Sequence, residues 1–199
     1  MAHAGPLRRI INELPLADDA PAGLFSRFGR DLPAAWQAHL AYNRAELTQT
    51  DRLLALGVYP AADRPRLQEL ISRLAETELA FGLSHGDLAS RNALVRPDRT
   101  VVLIDWGSAA CGPVPYTDLL IVLRDHERGR DPSIEELAAF SAGYGIDLDG
   151  LMPTLDAIRQ VTALDLVHWA LDHRPDLVPG YVDRARQELA RARRGADRR

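Results

Sequence analysis

The chain has 199 residues, 46% of them hydrophobic and 26% charged, with a formal net charge of -4. That is enough apolar material for one ordinary core, and the charge balance excludes a global attraction to nucleic acid or an anionic membrane surface. No apolar run is long enough to span a bilayer, the start lacks a charged-then-apolar secretory pattern, and the single cysteine, Cys111, excludes an internal disulfide or a multi-thiolate metal site, which together predict a cytoplasmic protein.

Residues 1–32 are irregular in pattern and punctuated by Pro6, Pro15 and Pro21, with room for a short helix from Leu7 to Leu14. Asp31 or Leu32 then caps a helix that has Pro33 in its first turn. Trp36, Leu40, Leu47 and Leu54 recur at helical spacing, which predicts a helix from Pro33 to Leu56 closed by Gly57. Asp63 and Pro65 open a second helix, running to about Ala80 with Leu67, Leu70, Ile71 and Leu74 on one face, and Gly82 stops it. The pattern then changes. Residues 92–95 and 101–104 are short apolar, partly β-branched runs joined by Arg96-Pro97-Asp98-Arg99-Thr100, which reads as a β-hairpin. Gly112, Pro113 and Pro115 suggest a rigid loop. A helix then starts at Thr117 or Asp118. Ser133 with Glu136 three residues on is a capping box for another helix, ended by Gly143 and Gly145. Residues 151–171 and 179–190 are further helical patterns, the last leading into an arginine-rich tail. The expected class is α+β, mostly α, with one hairpin carrying the chemistry. The expected organisation is a single domain over 1–199: an irregular segment 1–32, helices over 33–80, a catalytic core over 83–118 and helices over 119–199.

The hairpin is flanked by the residues that matter. His85-Gly86-Asp87-Leu88-Ala89-Ser90-Arg91-Asn92 precedes its first strand, and Val102-Leu103-Ile104-Asp105-Trp106-Gly107 ends its second. Phosphoryl transfer needs a carboxylate to accept or orient the proton of the attacking hydroxyl, and oxygen ligands to hold magnesium on the phosphates. Asp87 suits the first role. Asn92, a neutral carbonyl oxygen, and Asp105, an anionic one, suit the second. Gly86 gives the loop room to turn, and His85 ties it to its surroundings. Either fragment alone is a polar turn or a strand end; the two in order, with a hairpin between, are specific.

At these residues the sequence resembles the aminoglycoside phosphotransferase and choline kinase-like family of small-molecule kinases. Pro115-Tyr116-Thr117-Asp118-Leu119 matches a further segment of that family, and the resemblance implies that Asp118 is a buried residue buttressing the catalytic loop. It also implies the C-terminal lobe of a protein-kinase-like fold, ATP or GTP as phosphoryl donor, Mg2+ as cofactor, and a small-molecule acceptor of aminoglycoside, macrolide or choline type. An acceptor that is a cation would call on acidic residues such as Asp125, Glu127, Asp165 and Asp172, which otherwise read as ordinary surface.

Two departures qualify the resemblance. Ala89 stands where the family often has His or Tyr. More importantly, the 84 residues before His85 read as helices and irregular chain rather than the family's N-terminal β lobe, and all 24 basic residues are arginine, so the usual phosphate-binding lysine is not in this polypeptide. The rival expectation is therefore a non-catalytic lone lobe that binds a ligand or partner. An exposed apolar face would then favour a homodimer or a separate chain supplying the missing lobe. His126, His168 and His173 lack metal-ligand spacing, His168 and Trp169 read as core or pocket wall, and Cys111 reads as inert.

Overall fold

The computed structural model describes residues 11–14, 16 and 22–196. The chain divides into two compact units. Among the described residues, one contains those up to Ala35 together with Leu79–Leu151, and the other contains Trp36–Glu78 and those from Met152 onward. Two helices run from one unit into the other: α1, Leu32–Glu46, and α6, Leu148–His173. Asp31 caps α1, its carboxylate accepting the Ala34 N–H at 2.9 Å.

In the first unit, β1 (Ala80–Ser84) pairs antiparallel with β4 (Ala110–Val114), from Ala80 opposite Val114 to Ser84 opposite Ala110. Between them β2 (Ala93–Val95) and β3 (Val101–Leu103) form a second antiparallel pair. α4 (Tyr116–Glu127) and α5 (Ile134–Tyr144) follow, the latter with the Ser133–Glu136 capping box in place.

The first sheet corrects two expectations. Gly82 does not stop a helix but sits inside β1, and Gly112 and Pro113 lie in β4 rather than in a loop. A two-stranded ribbon tolerates proline because each strand has an edge that needs no N–H donor. Glycine at 82 has a separate reason: a Cβ there would lie 2.1 Å from the Asn12 carbonyl oxygen, and this close approach lets Asn12 donate its side-chain amide to the Leu83 carbonyl at 2.6 Å. Of the short helix expected over 7–14, Ile11 and Asn12 are helical, and residues 7–10 lie outside the described residues.

In the second unit the expected helix over 33–56 breaks after Glu46. Thr48, Thr50 and Asp51 compete with the helical backbone for its own hydrogen bonds. Asp51 caps a separate short helix, α2 (Arg52–Ala55), by accepting the Leu53 N–H at 2.9 Å, and Gly57 at φ +65° closes it. α3 (Arg64–Glu76) has Pro65 in its first turn, buries Leu67, Ile71 and Leu74, and ends at Glu76, short of Ala80. α7 spans Val178–Ala196, and the last three residues of the arginine-rich tail lie outside the described residues.

The core of this unit encloses a polar chain. Asn43 donates to Asp165 and to the His39 carbonyl, both at 2.9 Å, and its Oδ1 faces His168, whose other ring nitrogen lies 3.3 Å from Asp51. Tyr59 donates its hydroxyl to the other Asp51 oxygen. Asn43, Asp51, Asp165 and His168 are buried. His168 is thus a core residue and Asp165 an internal hydrogen-bond partner.

Candidate active site

Strand β1 delivers His85 and Gly86 to a turn held from behind by Asp118 in the first turn of α4. Asp118 is fully buried, and its two carboxylate oxygens accept the backbone N–H groups of His85 at 2.9 Å and Gly86 at 2.8 Å. Gly86 has φ +78°, and a Cβ on it would sit 1.8 Å from the Ser108 carbonyl oxygen. Only glycine lets the loop after β1 lie this close to the loop after β3.

The His85 ring bridges the same two loops. Its Nε2 lies 2.8 Å from the Ile104 carbonyl, which can only accept, so this nitrogen carries the proton. Its Nδ1 is then free to accept the Asp87 N–H at 3.3 Å. Trp106 packs against the ring with centroids 4.6 Å apart and donates its indole N–H to the Leu103 carbonyl at 3.0 Å. The loops bearing Asp87 and Asp105 are therefore joined by hydrogen bonds through His85 and by close packing at Gly86.

Asn92 contacts Asp87 just before the hairpin, and Asp105 follows the hairpin's second strand. Asn92 is buried at the end of a 3-10 turn, Ser90–Asn92. Its amide nitrogen donates to the Asp87 carbonyl at 2.8 Å and to the Asp87 carboxylate at 3.1 Å, which orients its Oδ1 away from Asp87. The Asn92 backbone carbonyl accepts the Ile104 N–H at 2.9 Å, so Asp105 follows directly on this junction. Asp105 is exposed and held in the left-handed region at φ 61°, ψ 61°, a conformation that aspartate tolerates better than most residues. The Asn92 amide oxygen together with the exposed Asp105 carboxylate would be a donor set of hard oxygens. It fits a magnesium ion that takes its remaining ligands from water and phosphate. Among the described residues no group of three or more His, Cys, Asp or Glu could hold a metal. His126 instead contacts the Pro132 carbonyl, and His173 contacts the Trp169 carbonyl.

Asp87 itself is half-buried and carries a partner that the motif reading passed over. Arg91 lies four residues on, and its Nη2 contacts both Asp87 carboxylate oxygens, at 2.8 and 2.7 Å. This guanidinium, with help from the Asn92 amide, holds the Asp87 carboxyl below the usual carboxylate range. Opposite charges at this spacing are visible in the sequence and were the available signal.

One face of the hairpin is apolar. The pairing of Leu94 with Val102, with Ile104 two residues on, puts these three residues on the same side of the ribbon. Leu94 is 52% exposed and Ile104 38%. The hairpin thus presents an apolar, solvent-facing strip.

The acidic residues weighed for a cationic acceptor have other engagements. Asp125 is buried and paired with Arg130, and Asp172 forms an ion pair with Arg52 at 2.7 Å. Cys111 is buried in β4, and burial pushes its thiol up.

The phosphotransferase enzyme family (APH) matches residues 7–161. Among solved structures, spectinomycin phosphotransferase in complex with ADP and spectinomycin is 17% identical, with a TM-score of 0.50, over 94% of this chain and 60% of that one. The AMP-bound form of spectinomycin phosphotransferase gives 18% identity, a TM-score of 0.50 and coverages of 94% and 61%. The choline kinase LicA from Streptococcus pneumoniae gives 15% identity, a TM-score of 0.50 and coverages of 95% and 62%. No curated protein matches the chain. The chain thus spans about three fifths of the length of these structures, and at such identities the likeness speaks for the fold alone: kinase-like, mostly helical, with small sheets. The family match covers more than three quarters of the sequence and includes every residue of the constellation just described, and on that ground the chain belongs to the phosphotransferase enzyme family.

Proposed function

We propose that this chain carries the acceptor-side chemistry of an ATP- or GTP-dependent, magnesium-requiring phosphotransferase, acting as the catalytic C-terminal lobe of a kinase-like fold. The observation that carries this reading is the junction at Asn92: one residue touches the Asp87 carboxylate and, through its backbone, the strand end that bears Asp105.

In this reading Asp87 accepts a hydrogen bond from the acceptor hydroxyl and orients its oxygen toward the γ-phosphorus. The new bond forms between that oxygen and phosphorus, and the bond from phosphorus to the β–γ bridging oxygen breaks, its electron pair leaving with the nucleoside diphosphate. The hydroxyl proton passes to Asp87. The transition state is loose and needs positioning more than a strong base, so a carboxyl below its usual range suffices. Asn92 Oδ1 and Asp105 would hold magnesium, which when bound draws negative charge from the phosphate oxygens. Leu94, Val102 and Ile104 offer an apolar floor suited to a nucleobase. His85, Gly86 and Asp118 keep the two loops in register.

The acceptor is a hydroxyl on a small molecule, of the aminoglycoside, macrolide or choline kind. Titration calorimetry tests the donor side. The chain should bind MgATP, and Asp105→Ala should lose binding that depends on magnesium. Absence of binding at millimolar nucleotide would favour the rival, a non-catalytic module whose partner is another chain.

A further inference from the structure

We propose that Arg91 is a positioning residue for phosphoryl transfer, acting by holding the Asp87 carboxylate in its working orientation; this rests on Asp87 having the role given above.

A carboxylate offers about four acceptor positions. Arg91 Nη2 occupies one on each oxygen, and the Asn92 amide occupies a second on Oδ2. The open position is then on Oδ1, so an incoming hydroxyl is directed to one oxygen and one side. Without Arg91 the carboxylate would keep only the 3.1 Å contact with Asn92 and could rotate about its χ angles. The turn Ser90–Asn92 is what brings residue 91 back over residue 87.

The contact is not explained by stability. The Arg91 side chain is 60% exposed, and exposed pairs at this spacing contribute little to folding. It is also not a pair between two surface groups, because Asp87 is half-buried and further engaged by Asn92. A second consequence is electrostatic. Phosphoryl transfer brings an anionic group to within a few ångströms of the Asp87 carboxylate, and Arg91 supplies the neighbouring positive charge that offsets their repulsion.

The test uses the full chain, with MgATP as donor and water as the acceptor probe. Initial rates of ADP release are measured for wild type, Arg91→Ala, Arg91→Lys, Asp87→Ala and Arg91→Ala with added guanidinium ion at tens of millimolar, well below denaturing concentration. Mispositioning of this order costs about 10²-fold in rate. The expected result is that Arg91→Ala lowers kcat by about that factor. KM for MgATP should change less than about twofold, because uniform binding is not what is lost. The lysine variant should fall between, since a point charge replaces a planar fork, and guanidinium should restore part of the alanine variant's rate. Thermal midpoints of all forms should agree. Arg91→Ala turning over at the wild-type rate while Asp87→Ala is inactive would overturn the inference and leave the assignment of Asp87 standing. An equal loss in the alanine variant that guanidinium does not restore, with a lowered thermal midpoint, would also overturn it, in favour of a structural role. Wild-type turnover by Asp87→Ala would overturn the underlying assignment instead, and the inference with it.

Discussion

Replacing Gly86 with alanine probes the register between the two loops that carry Asp87 and Asp105. The native φ of +78° is disfavoured for any residue with a Cβ, at about 1–2 kcal/mol. In addition the new methyl would lie 1.8 Å from the Ser108 carbonyl oxygen and 2.6 Å from its carbon, against an ordinary contact of 3.4 Å or more. The neighbour is backbone rather than a flexible side-chain end, so relief requires the loops to part by more than an ångström. Overpacking of this kind costs a further ~1–3 kcal/mol. The sum is about 2–5 kcal/mol, which for a chain of this size lowers the thermal midpoint by roughly 4–20 °C. Gly129 is the control: its φ is +67°, but nothing lies within 4 Å of a Cβ placed there. Gly129→Ala should therefore carry only the conformational cost, about 1–2 kcal/mol. Thermal unfolding followed by circular dichroism compares the two. Equal midpoints for the variants would refute the claim that Gly86 is required by the close approach to Ser108.

Two further outcomes follow from buried carboxylates. Asp118→Ala leaves the His85 and Gly86 N–H groups without their acceptors and should cost about 2–6 kcal/mol. Asp118→Asn, which keeps one acceptor oxygen, should cost about half as much; urea unfolding measures both, and an alanine variant as stable as wild type would remove Asp118 as the buttress. At Asp51 burial pushes the carboxyl up, but hydrogen bonds from His168, Tyr59 and the Leu53 N–H outweigh it, and the net direction is below 3.8. A depressed folded value adds stability that is complete above the unfolded value and is lost as pH falls through the folded one. Wild type should thus lose stability more steeply than Asp51→Asn as pH is lowered below about 4. Urea midpoints measured from pH 6 to pH 3 report this, and parallel curves would contradict it.

The legible parts of the molecule were those with short-range grammar. Ser133 and Glu136 specify their capping box within four residues, and the turn-rich 96–100 segment between two β-branched runs corresponds to the β2–β3 pair. The Asp87 to Asn92 spacing is likewise local, and the Asn92 amide contacts the Asp87 carboxylate. What could not be read is non-local. Gly82 and Gly112 look like breakers until β1 and β4, about thirty residues apart, pair and Asn12 approaches the first of them. The apolar period through Leu47 and Leu54 predicts one helix, and the break appears once Asp51 finds His168 and Tyr59 in the folded core. Arg91 was the local exception. Its spacing from Asp87 was visible, but such pairs are common on helices and turns, and only the half-buried carboxylate beneath it gives the pair meaning.

Asp87 is proposed to serve phosphoryl transfer in this chain. The most direct measurement is phosphorus NMR of MgATP incubated with the chain and a panel of hydroxyl-bearing small molecules, comparing wild type with Asp87→Ala. Wild type should convert the γ-phosphoryl signal into a phosphate ester or free phosphate, and the variant should show no conversion above the uncatalysed rate. Equal conversion by the two proteins would contradict that role.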